Sequence, residues 1–151
     1  MGDEYAERCK STEEKYVIFR LGETLFGVDV ERMLRIVRLS PITRVPRAPQ
    51  FLEGVFNYRG QVVPVVDLHK RLALPGVEYG DQVRILIVEL EAQPVGMLAD
   101  AVIGISRLPG ETIQPATGTA VPVDVGCLAG VARQGERPIF LLDLGRVLVR
   151  T

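Results

Sequence analysis

Side chains that could carry chemistry are few and scattered in this chain. One histidine, His69, supplies the sole imidazole of 151 residues, which excludes a metal site built on several histidines and a histidine relay. A nucleophilic triad would have to join His69 to Ser11, Ser40 or Ser106, and none of these sits in a nucleophile elbow. Asp67 and Asp143 each follow an apolar strand pattern and precede leucines four apart, Leu68 with Leu72 and Leu144 with Leu148. That is the signature of a helix N-cap, in which the carboxylate accepts from backbone N–H groups. Cys9 and Cys127 are too few for a disulfide scaffold and lack metal-knuckle spacing. Gly126-Cys127-Leu128-Ala129-Gly130 has neither the lysine of a phosphate loop nor dinucleotide spacing. We assign no catalytic residue, no metal ligand and no cofactor, and expect a protein that is not an enzyme.

Binding by charge is the next possibility. Net charge is −1, so there is no overall attraction to nucleic acid. The distribution is uneven: residues 16–75 hold nine Lys/Arg against five Asp/Glu, and residues 76–151 hold six against nine. Arg32, Arg35, Arg38, Arg44, Arg47 and Arg59 cluster in the first half, which supports a small-barrel nucleic-acid-binding module as an alternative function. Against it, tryptophan is absent, aromatics make up 6%, and they are not interleaved with the arginines as base stacking requires.

The elements that must position these residues announce themselves by repetition. Leu52-Glu53-Gly54-Val55, Val65-Val66-Asp67-Leu68 and Leu72 return 76 positions later as Leu128-Ala129-Gly130-Val131, Leu141-Leu142-Asp143-Leu144 and Leu148. Upstream, Gly27, Met33 and Ile36 return 69 positions later as Gly96, Val102 and Ile105. Strand, turn and cap signals repeated in order predict two copies of one small fold after internal duplication. Tyr16 to Leu21, the turn Gly22-Glu23 and Leu25 to Val28 predict a hairpin, echoed by Val83 to Leu90, a turn at Glu91-Ala92-Gln93 and Val95 to Leu98. Val30, Met33, Leu34 and Val37 keep helical spacing, which would place Arg32, Arg35 and Arg38 on one helical face. A second hairpin is predicted with its tip at Asn57 to Gly60, and Pro64 is expected at an unpaired edge or bulge. Residues 1–15 are expected to form a flexible leader, 16–76 a first β-barrel subdomain, and 77–151 a second that ends in a short helix. With 47% hydrophobic residues and no apolar run near the ~18 residues that span a bilayer, the chain is expected to be soluble and cytoplasmic.

The sequence resembles the CheW-like adaptor domains of bacterial chemosensory systems. The resemblance rests on Phe26-Gly27-Val28-Asp29-Val30, Val45-Pro46-Arg47-Ala48-Pro49, Gly54-Val55 with Asn57-Tyr58-Arg59-Gly60, and Val63-Pro64-Val65-Val66-Asp67-Leu68. It continues through Gly96-Met97-Leu98-Ala99-Asp100, Ile113-Gln114-Pro115, Leu128-Ala129-Gly130-Val131 and Leu141-Leu142-Asp143-Leu144, so it runs from about Tyr16 to Leu148. It implies an all-β fold of two SH3-like, five-stranded barrels with short helices. It also implies an adaptor, held at membrane receptor arrays from the cytoplasm, that links chemoreceptor cytoplasmic tips to the regulatory domain of a CheA-like histidine kinase.

Carried onto this chain, the resemblance places a receptor-binding groove at Val30, Met33, Ile36 and Arg59 and a kinase-binding face at Leu98, Val102 and Ile105. Gly54 and Gly130 fall where the family holds small residues beside these contacts. Two positions depart from the family's pattern: Arg35 stands where an acidic residue is usual, and Tyr58 where leucine is usual. The family's acidic residue is expected to pair with the arginine of the turn, so Arg35 and Arg59 are expected to be like charges here unless Glu31 or Glu53 substitutes.

Overall fold

The computed structural model describes residues 13–75, 80–115 and 125–148. Among these residues the first half builds β1 (Glu13–Leu21), β2 (Thr24–Asp29), β3 (Met33–Arg38), β4 (Leu52–Tyr58) and β5 (Gln61–Asp67). The second half builds β6 (Arg84–Leu90), β7 (Gln93–Ala99), β8 (Ala101–Pro109), β9 (Leu128–Gln134) and β10 (Arg137–Leu142). Two four-residue helices, α1 (Leu68–Arg71) and α2 (Leu144–Val147), follow β5 and β10. The expected leader therefore extends too far at its C-terminal end, because β1 already includes Glu13 to Lys15. Residues 1–12, with Cys9 and Ser11, lie outside the described residues.

Two five-stranded sheets form, in the orders β8-β1-β2-β10-β9 and β3-β6-β7-β5-β4. Matching each strand to its repeat counterpart (β1 with β6, β2 with β7, and so on to β5 with β10) converts one order into the other. The duplication is thus visible in the topology, but the expected division at 76/77 is not how the sheets divide. Hairpin β1–β2 from the first copy pairs with β8 and β10 of the second, and hairpin β6–β7 from the second pairs with β3 and β5 of the first. This is an exchange of hairpins within one chain, the intramolecular equivalent of a domain swap. Each sheet closes into a barrel through one bridge from the segment after its edge strand, Thr43 to Val55 and Gln114 to Val131, with N–H···O distances of 2.8–2.9 Å.

Both faces of the central strands are buried, which is why Val17-Ile18-Phe19 and Ile85-Leu86-Ile87-Val88 are continuous apolar runs rather than alternations. Ile18, with Leu25, Ile139 and Leu141, fills one barrel; Ile85 and Ile87, with Phe56, Val63 and Val65, fill the other. The alternate residues, including Phe19, Phe26 and Val28 from one sheet and Leu86, Val88 and Met97 from the other, meet in a shared seam. Phe26 anchors the seam, with ring centroids 6.0 Å from Phe19 and 5.9 Å from Phe140.

The helix expected between Val30 and Val37 does not form. The Asp29 carboxylate accepts from Glu31 N at 2.9 Å and supports a single 3-10 turn, Val30–Arg32. From Met33 the chain is extended, because Ile36 and Val37 are β-branched and pair with Leu86 and Ile85 of β6. Pro64 is not at an edge or bulge: it faces Val55 of β4 in the ladder, and only its other side is unpaired, because β5 pairs with β7 from Val65 onward. The β4–β5 tip is tighter than expected, a two-residue turn with Arg59 at φ 54° and Gly60 at φ 82°. Asn57 Oδ1 accepts from Gly60 N at 3.0 Å and holds the turn.

Candidate functional site

His69 is buried, and its ring is fully occupied by the fold. Nδ1 lies 2.9 Å from the Pro75 carbonyl oxygen, and Nε2 lies 3.1 Å from both carboxylate oxygens of Asp100. Asp100 also accepts from Gly22 N at 2.6 Å, so the contact ties α1 to the turn of the β1–β2 hairpin. Ser40 Oγ donates to Arg38 O and Ser106 Oγ accepts from Gln134 Nε2, so neither serine forms a dyad with the imidazole. Asp67 caps α1 as expected, accepting from His69 N at 3.0 Å and Lys70 N at 3.4 Å. Asp143 holds the equivalent N-cap position with no side-chain cap bond, and its carboxylate lies 3.7 Å from Arg146 Nε. Cys127 is a buried free thiol in the seam. Among the described residues no cluster of His, Cys, Asp or Glu could hold a metal ion, and no helix is long and apolar enough to cross a membrane.

With reactive chemistry absorbed into packing, the surfaces remain. The edge strands β3 and β8 are built alike. In β3 the register skips Leu34, since Met33 faces Val88 and Arg35 faces Ile87. In β8 it skips Ile103, since Val102 faces Phe19 and Gly104 faces Ile18. Leu34 and Ile103 are repeat counterparts, so both edges carry a β-bulge at the same place. On these edge strands apolar side chains stay open to solvent: Leu34 and Ile36 are 52% and 39% exposed, and Ile103 and Ile105 are 58% and 61% exposed.

The expected receptor residues are distributed over this frame. Val30 and Met33 are half-buried, Met33 packing against the rim of the seam, and Ile36 is exposed on β3. These three share one short stretch of chain. Arg59 stands at the other edge of the same sheet, exposed at the β4–β5 tip, with its guanidinium 5.3 Å from the centroid of the Tyr58 ring. Neither Glu31 nor Glu53 substitutes for the family's acid: Glu53 lies 3.7 Å from Lys70, and among the described residues Arg35 and Arg59 form no ion pair.

Of the expected kinase residues, Ile105 is exposed and Val102 packs at the seam rim as the counterpart of Met33. Leu98 requires correction. It is 1% exposed inside the barrel with Phe56, Val63 and Ile85, because an inner strand, β7, buries both faces, and it cannot touch a partner. Gly54 and Gly130 sit where the barrel-closing bridges approach: a Cβ on Gly54 would lie 2.3 Å from Thr43 O, and one on Gly130 2.8 Å from Ile113 Cγ2 and 3.0 Å from Gln114 O. Leu39, Val45 and Val62 are exposed apolar residues that sequence reading did not single out, since burial is set by barrel closure and leaves no local signal.

Comparison with known proteins places this geometry. The family model for the CheW-like domain matches residues 15–151. Chemotaxis protein CheW of Klebsiella aerogenes is 32% identical over 135 residues, covering 89% of this chain and 81% of the relative. Chemotaxis protein CheW of Treponema pallidum is 30% identical over 135 residues, covering 87% and 79%. The crystal structure of the scaffolding protein TtCheW from Thermoanaerobacter tengcongensis superposes with a TM-score of 0.85 at 31% identity, covering 90% of this chain and 88% of that one.

Proposed function

From the premise that the chain belongs to the CheW-like domain family, we propose that it joins a chemoreceptor's cytoplasmic tip to a CheA-like histidine kinase. It is a chemotaxis coupling adaptor, and nothing favours a nucleic-acid-binding role. In this reading it performs no catalysis and works in the cytoplasm at membrane receptor arrays.

The observation that carries the proposal is the pair of equivalent edges. One duplicated fold presents the same bulged, apolar edge twice, at β3 and β8, with different side chains on each. Two like-shaped but chemically distinct faces suit a protein that bridges two different partners. On the first we place the receptor, at Val30, Met33 and Ile36, with Arg59 contributing from the opposite edge of the same sheet; on the second the kinase, at Val102 and Ile105. Signal passes without bond making: a receptor whose two states bind the first face unequally biases whatever is docked on the second by part of that free-energy difference.

The test is retention from an extract of the protein's own organism on immobilised wild type, Arg59→Ala and Ile105→Asp. Both substitutions alter exposed side chains. The wild type is expected to retain a receptor and a histidine kinase, Arg59→Ala to lose the receptor and Ile105→Asp the kinase, each by about tenfold or more. Retention of neither by the wild type would overturn the proposal.

A further inference from the structure

The two edges differ in charge more than in shape. From Met33 to Arg47 the chain carries Arg35, Arg38, Arg44 and Arg47 and no acidic residue. The equivalent run from Val102 to Pro115 carries Arg107 balanced by Glu111. All four arginines of the first run are exposed, and among the described residues none of them forms an ion pair. Between them Leu34, Ile36, Leu39 and Val45 are 39–52% exposed. The contrast is sharpest just after the bulge, where the β3 edge has Arg35 and the β8 edge has Gly104, beside which a Cβ would meet nothing within 4 Å.

We propose that the β3 edge and its continuation to Arg47 dock a receptor segment in which carboxylates alternate with apolar side chains. This rests on the adaptor reading above and adds the chemistry of the partner. Arginine stems cover apolar surface while the guanidinium heads stay in water, so one face offers apolar contact and forked donors together. A carboxylate is the natural complement, because it accepts two parallel N–H bonds from one guanidinium. Unpaired like charges repel one another on the free protein, and an acidic partner relieves that repulsion on binding. The neutral β8 edge, with its bulge at the equivalent residue, is the built-in control.

The deciding measurement is the affinity of the full chain for the soluble cytoplasmic fragment of a chemoreceptor from the same organism, taken from low to high salt. It is made for wild type, for Arg35→Gln/Arg44→Gln/Arg47→Gln, and for Ile103→Ser on the β8 edge. Wild-type affinity is expected to fall steeply with salt, the triple variant to bind roughly tenfold more weakly at low salt with a flattened slope, and Ile103→Ser to keep the wild-type affinity and slope. Binding that persists in the triple variant with an unchanged slope would overturn the acidic partner alone and leave the adaptor reading standing. No binding by the wild type would overturn both.

Discussion

A Cβ on Gly54 falls 2.3 Å from the Thr43 carbonyl oxygen and 2.7 Å from Ile42 Cγ2, while a Cβ on Gly104, at the same φ of 155°, meets nothing within 4 Å. The pair separates two costs that glycine usually hides together: torsional strain, common to both, and steric exclusion, present only at Gly54. Urea denaturation is expected to show a loss of about 1 kcal/mol for Gly104→Ala and about 3 kcal/mol or more for Gly54→Ala, because the oxygen belongs to the bridge that closes the barrel. Equal losses would show that torsion alone dominates. Gly54 and Gly130 were legible in the sequence as repeated small residues. That their smallness admits the backbone of Thr43 and Gln114 was not, since those residues are distant in the chain. The burial of Leu98 was hidden for a related reason: an apolar residue looks the same in sequence whether its strand lies inside a sheet or at its edge.

Helix α1 shows how an element is held by more than its own hydrogen bonds, since four residues cannot sustain a helix in water. Asp67 caps its start, and Arg71 donates from Nε to Val147 O at 2.7 Å and from its terminal nitrogen to Arg146 O at 2.8 Å, reaching the end of α2. His69 anchors it to Asp100, and this contact exists at one of the two equivalent junctions, because Gly145 stands where the repeat would place a second histidine. Replacing His69 leaves a buried carboxylate with a backbone N–H as its remaining partner. His69→Leu is expected to lower stability by about 3 kcal/mol, and the double variant with Asp100→Asn to lose less than the sum of the singles. An additive cycle, measured by thermal or urea unfolding, would refute the coupling. At this scale the hairpins, the Asp67 cap and the repeat were legible from local patterns, whereas Asp143 holds its N-cap position without a side-chain cap bond. The strand at Met33–Arg38 was misread as helix because Val30, Met33, Leu34 and Val37 recur three and four apart, and only pairing with β6 reveals the strand.

For the molecule as a whole, exchanged hairpins make each copy dependent on the other. Phe19, Leu21, Phe26 and Val28 of the first copy share one buried cluster with Leu86, Val88, Met97, Val131 and Phe140 of the second, and burial of each of these first-copy side chains is worth about 1.5–3 kcal/mol. The sum is comparable to the ~5–15 kcal/mol that stabilises a whole domain. Cutting between residues 76 and 77 is therefore expected to give two fragments that show no cooperative unfolding alone and regain a cooperative transition, with native circular dichroism, when mixed. Independent folding of either fragment would contradict the exchange. The sequence by itself determined that the fold is duplicated and all-β, which residues cap and turn it, and the family to which it belongs, because these are written in local periodicity and repeated spacing. The tertiary structure alone decided which copy's hairpin completes which barrel, which apolar residues are left at an edge, and that His69 is consumed by packing. Strand pairing between distant segments depends on how sheets close around a shared seam, and no local pattern in the chain encodes that closure.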